Sequence, residues 1–147
     1  ERLVASDLNP AKSPGPPADF CDLPWADRTF DAVCFDPPYK LNGTPSEPDE
    51  PYGVDVPARW QDRMDLIRRG VVECARVTGG WLLVKCMDQV VSGRVRWQGR
   101  VVAGACESAG LRVVDELLML TDPRPQPGGR RQVHARRNYS TLVVAGR

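Results

Sequence analysis

An α/β fold, built on an open and mostly parallel sheet, is what this chain of 147 residues predicts, and three observations carry it. Short apolar runs alternate with segments of helical period, as strands alternate with helices. Both helical segments are amphipathic and each leads into a strand, the pattern of a doubly wound sheet. The last two strands have only a loop between them, which favours an antiparallel final strand.

Taken in order, Leu3, Val4 and Ala5 read as a strand and Ser6 to Pro10 as the turn leaving it. Residues 10 to 18 hold four prolines and read as loop. Ala32 to Phe35 is an apolar run with the character of a strand buried on both faces. Leu41 to Val56, rich in proline and acids, reads as a loop placed to act as a lid, or as solvated chain. Trp60, Met64, Ile67, Val71 and Cys74 recur at steps of four and three, which predicts a helix over 57–77. Pro57 suits its first turn and Gly79-Gly80 its end. A buried strand follows at 81–87. Trp97, Val101, Ala105 and Ala109 make a second helix closed by Gly110. The final strands span 111–120 and 139–145.

Composition fits a single soluble domain, with 41% hydrophobic and 27% charged residues and no apolar run near the length of a membrane span. The five cysteines, an odd number without paired spacing, read as small buried hydrophobes in a reducing cytoplasm. With one histidine and no Cys-x-x-Cys, metal ligation is not expected. Charge is unevenly spread: residues 1–58 hold four Lys/Arg against eleven Asp/Glu, whereas residues 121–147 hold six arginines against Asp122 alone. A basic end on a nearly neutral chain suits a polyanionic partner, or is simply a solvated loop. If the penultimate strand runs with the others, Arg130, Arg131, Arg136 and Arg137 lie at the sheet's carboxyl edge.

That edge also receives Asp36-Pro37-Pro38-Tyr39, the most informative residues of the chain. An acid leaving a strand of an open α/β sheet stands where such sheets bind ligands. The two prolines stiffen the turn and remove two N–H donors, so nearby carbonyls stay free to accept. Tyr39 adds an aromatic face. An acceptor pair beside a stacking plate suits an aromatic amine, although Asp-Pro-Pro can also merely end a strand.

The run Asp19-Phe20-Cys21-Asp22-Leu23-Pro24-Trp25, then Asp27-Arg28-Thr29-Phe30-Asp31, then the strand and tetrapeptide, resembles the segment joining the third and fourth strands of S-adenosylmethionine-dependent methyltransferases. The tetrapeptide is similar to the signature of the amino-methyltransferases, which act on exocyclic nitrogens of nucleic-acid bases. The resemblance implies a Rossmann-like class I sheet and S-adenosylmethionine as cofactor. It implies that Asp7 takes the ribose hydroxyls, that Asp19 meets the adenine amine and that Phe20 packs on its ring. Asp36 and the Pro37 carbonyl would accept the two N–H bonds of the target amine, with Pro38 holding the turn and Tyr39 stacked on the base. Its glycine-rich first turn has no counterpart before Asp7, and the chain opens at Glu1 without methionine. The expectation is therefore a partial methyltransferase domain over 1–147, with first strand and cofactor loop upstream and no separate target-recognition domain.

The implied activity is methyl transfer to N6 of adenine in DNA. N4 of cytosine shares the geometry, and RNA or protein-glutamine methylation by a related tetrapeptide stays open, although those relatives often carry Asn first. A non-catalytic remnant that holds nucleic acid through its arginines is the reading from another class. The sequence carries no sign of oligomeric state.

Overall fold

The computed structural model describes residues 3–38, 40–41, 57, 59–122, 134 and 137–147. Among them are six strands and two helices: β1 (Phe30–Phe35), α1 (Trp60–Val77), β2 (Thr78–Cys86), β3 (Gln89–Val91), β4 (Arg94–Arg96), α2 (Gln98–Ser108), β5 (Arg112–Leu120) and β6 (Tyr139–Gly146). The main sheet has the order β1-β2-β6-β5. β1 and β2 are parallel, and β6 runs antiparallel to both its neighbours. Three of four strands thus share a direction and the last is reversed, as expected. β5, however, touches only β6, so a single pairing in the sheet is parallel.

The expected double winding is corrected. Both helices pack on one face of the sheet and against each other. The chain moves one way across the sheet, from β1 to β2 and then past β6 to β5. Crossovers of one hand moving in one direction place their helices on one side. The core between layers joins Ile67, Val71 and Cys74 of α1 and Val102, Ala105 and Cys106 of α2 to Leu82, Val84, Val143 and Ala145. The opposite face leaves Ala32, Cys34, Trp81, Leu117 and Met119 exposed. β1 is therefore buried on one face rather than two, and Cys34 is an exposed thiol, contrary to the sequence reading. Burial pushes the thiols of Cys74 and Cys86 up to about 12 and that of Cys106 to about 11, as expected of inert core cysteines.

Three further expectations change in detail. No strand forms at Leu3–Ala5: β1 pairs only with β2, and Leu3 and Val4 face Thr29–Ala32 across a groove of about 750 Å³. Without a ladder partner an extended segment lacks the hydrogen bonds that define a strand. Helix α1 starts at Trp60, capped by Arg59, so Pro57 precedes the helix. Gly79-Gly80 does not separate helix from strand, because β2 begins directly at Thr78. A Cβ on Gly80 would lie 2.5 Å from the Asp31 carbonyl oxygen, so close approach to the chain at β1 explains that glycine. Gly110, by contrast, takes φ +81° just after α2, the left-handed stop expected of it.

The β3–β4 hairpin was not anticipated. Its signal was Ser92-Gly93 directly after Val90-Val91, and both adopt positive φ, 50° and 70°. Among the described residues no helix is long and apolar enough to cross a membrane.

The segment before β1 is fastened to α1 by a compact ionic cluster. Arg76 grips Glu73 at 2.6 and 2.9 Å, Asp27 at 2.8 Å and the carbonyls of Trp25 and Leu23 at 2.8 and 3.1 Å. The Leu23 amide donates to Glu73 at 2.9 Å. The Arg76 hydrogen bond holds the Glu73 carboxyl below its ordinary value of 4.5. A depressed folded value means this stabilisation is complete above about pH 4.5 and is lost as pH falls through the folded value. Glu73→Gln is expected to cost about 1 kcal/mol at pH 7. Urea unfolding of both proteins at pH 7 and pH 3 checks this: the gap should narrow in acid, and a constant gap would exclude the linkage.

Candidate active site

The carboxyl ends of β1, β2 and β5 lie at one edge of the sheet, together with the start of β6. Asp36 leaves β1 at that edge with its side chain 62% exposed. Lys85 of β2, unremarked in the sequence, places Nζ 3.2 Å from Asp36 Oδ2. So exposed an ion pair is worth under about 1 kcal/mol and leaves the carboxylate available. Neither Asp36 Oδ1 nor the buried Pro37 carbonyl accepts a hydrogen bond among the described residues. Tyr39 lies outside the described residues, as do Arg130, Arg131, Arg136 and 42–56, the bulk of the expected lid.

The chain just beyond the tetrapeptide is held from beneath. Arg63 of α1 is 2% exposed and donates through Nε to the Pro57 carbonyl and through Nη1 to that of Lys40, 2.8 Å away. The Leu41 amide donates to Gln89 Oε1 of β3 at 3.0 Å, and the Leu41 side chain is buried with Met64 and Val91. One guanidinium therefore pins both ends of the segment between Leu41 and Pro57. Sequence reading missed it, because a single arginine in an amphipathic helix reads as solvent-facing.

Asp7, Asp19 and Phe20 are linked in series to the same edge. The Ala18 amide donates to the Asp7 carbonyl at 3.3 Å, next to Asp19. The Phe20 ring lies 5.1 Å from that of Phe35, the residue before Asp36. Both rings rest against Gly70 of α1, where a Cβ would approach them to 2.5 and 2.7 Å. Phe20 is thus turned toward the core. Asp7 Oδ1 accepts from the Asn9 amide and Asp19 Oδ1 from the Cys21 amide, each at 2.8 Å, which closes their turns. Their second carboxylate oxygens have no partner among the described residues. Of the four arginines expected to bind nucleic acid, Arg137 is described, and its guanidinium stands 5.1 Å from the Trp97 ring at the same edge. The 750 Å³ groove lies elsewhere, beside the start of β1, and excludes every one of these residues.

Among solved structures the chain is similar to a presumed DNA modification methylase of Thermus thermophilus. The likeness is one of fold. One crystal structure of that protein aligns over 98% of this chain with a TM-score of 0.61 and 14% identity. A second, complexed with S-adenosyl-L-methionine, aligns over 84% with a TM-score of 0.56 and 15% identity. The chain spans about half the length of that protein, 54% and 49% in the two alignments. No protein-family model matches the sequence. No curated protein matches it either.

Proposed function

We propose that this chain carries the target-amine site of a class I methyltransferase, which transfers a methyl group from S-adenosylmethionine to N6 of adenine in DNA. The observation that supports it most is the pair of unengaged acceptors at the carboxyl edge, Asp36 Oδ1 and the Pro37 carbonyl. The fold shared with a presumed DNA modification methylase, solved in complex with S-adenosyl-L-methionine, agrees with this reading. So does the reversed last strand beside co-directional neighbours.

An aromatic amine is a weak nucleophile because its lone pair is delocalised into the ring. Asp36 and the Pro37 carbonyl accept its two N–H bonds, draw the nitrogen toward tetrahedral geometry and localise that pair. Pro37 and Pro38 keep the acceptors fixed, so no reorganisation is needed as charge develops. Tyr39 stacks on the base and returns about 1–3 kcal/mol of the few kcal/mol required to extrude it from a duplex. The free Oδ2 atoms of Asp7 and Asp19 fit the hydroxyl and amine donors of an adenosyl group. Phe20, packed on Phe35, sets the position of Asp19 relative to Asp36. The cofactor supplies an electrophilic methyl group.

Incubation of the full-length protein with labelled methyl donor and, in separate reactions, DNA, RNA or a glutamine-containing protein, followed by mass spectrometry of the nucleosides or peptides, tests the proposal. Labelled N6-methyladenine is expected; label on cytosine, RNA or protein would reassign the acceptor, and none at all would favour a nucleic-acid-binding remnant. Tyr39→Phe should retain most activity and Tyr39→Ala lose it. Equal rates for the two would remove the stacking role.

A further inference from the structure

At the carboxyl edge the hairpin, the start of α2 and the approach to β6 build a rack of guanidinium and indole groups. Arg96 of β4 lies 3.9 Å from the Trp60 ring centroid, and Arg100 and Arg137 lie 4.7 and 5.1 Å from that of Trp97. Arg94 shares a face of the hairpin with Arg96, two residues away. His134 Nε2 contacts the Gly93 carbonyl at 2.8 Å and ties the segment before β6 to the hairpin turn. The Met87 amide, just past β2, donates to Gln98 Oε1 at 2.8 Å, which anchors the start of α2 beside the end of β2.

This rack differs from the solvent-facing arginines of α1. Arg68, Arg69 and Arg76 each meet a carboxylate within 3.5 Å. Among the described residues none of Arg94, Arg96, Arg100 and Arg137 does. Asp88, beside the start of α2, accepts from the Gly99 amide at 3.1 Å. Arg100 also stands in the first turn of α2, which has no acidic residue, where the helix dipole disfavours a cation. The Nε atoms of Arg96 and Arg137 are buried without a hydrogen-bond partner. Four guanidinium groups without a carboxylate partner among the described residues suit an anionic ligand. Stacking on an indole occupies the face of a guanidinium and leaves its in-plane N–H groups, which match phosphate oxygens in pairs.

We propose that Arg94, Arg96, Arg100 and Arg137, set by Trp60 and Trp97, bind the DNA phosphodiester backbone beside the target base. This rests on the amine-acceptor reading of Asp36, and it adds residues of the hairpin and α2 to the basic loop.

The test is fluorescence anisotropy of the full chain with a labelled 20-base-pair duplex over a series of NaCl concentrations. Arg94→Gln and Arg100→Gln, both exposed positions, should each lower the slope of log K against log[NaCl] by about 0.9 and weaken binding roughly fivefold to tenfold at 0.1 M salt. Arg112→Gln makes the same charge change at the start of β5, the opposite edge, and should leave the slope unaltered. An unchanged slope in Arg100→Gln, or an equal fall in Arg112→Gln, would overturn the proposal. DNA binding with this arginine dependence but no methyl transfer would defeat the catalytic reading and leave this one standing. Methylation of DNA whose affinity ignores Arg94 and Arg100 would do the reverse.

Discussion

Asp36→Ala is expected to lower turnover on DNA by roughly 10²–10³, the loss seen when one preorganised polar contact to a reacting group is removed. In the proposed mechanism the carboxylate accepts from the reacting nitrogen, and that bond strengthens as the amine becomes tetrahedral. The loss should therefore fall on kcat, with KM for DNA changing little, because the rest of the surface still binds. Folding should be unaffected, since the side chain is 62% exposed and its bond to Lys85 is a surface ion pair. Steady-state kinetics of the full-length enzyme, with thermal unfolding of each variant, measure both quantities. A variant as fast as the parent would show that Asp36 only ends its strand.

The second large effect is expected at Arg63. Arg63→Met keeps much of the buried aliphatic volume but removes the donors to the Pro57 and Lys40 carbonyls. Arg63 is buried but both acceptors are only part-buried, so a loss of about 1–3 kcal/mol is expected after partial rehydration. Urea unfolding should show a lower midpoint at constant slope. Methyl transfer should fall as well, because Lys40 follows the tetrapeptide directly and its carbonyl is one of the two lost anchors. A loss below about 0.5 kcal/mol would mean that water replaces the guanidinium without penalty.

Much of this architecture was legible from local pattern. The steps of four and three through Met64, Ile67, Val71 and Cys74 fixed the buried face of α1, and all four are buried. The missing helix between the last two strands foretold the antiparallel β5–β6 pair. Of the expected arginines only Arg137 is among the described residues, and it stands at the edge that receives Asp36. Misreadings arose where a residue's environment is set by chain distant in sequence. Cys34 looked buried because its neighbours are apolar, yet the second face of β1 is uncovered. Gly79-Gly80 looked like a helix stop, yet Gly80 serves close passage beside Asp31.

Taken alone, the sequence determined the strands and helices it could mark by period, and the proline-stiffened turn that leaves β1 at Asp36-Pro37-Pro38. Backbone preference and side-chain alternation act over a few residues, so they are written locally. Tertiary structure decided that both helices share one face, that Lys85 meets Asp36, and that Arg63 holds Lys40 and Pro57. It also gathered Arg96, Arg100 and Arg137 around two tryptophans. Those facts depend on which segments the crossovers bring together, and spatial proximity across tens of residues leaves no periodic trace in the chain.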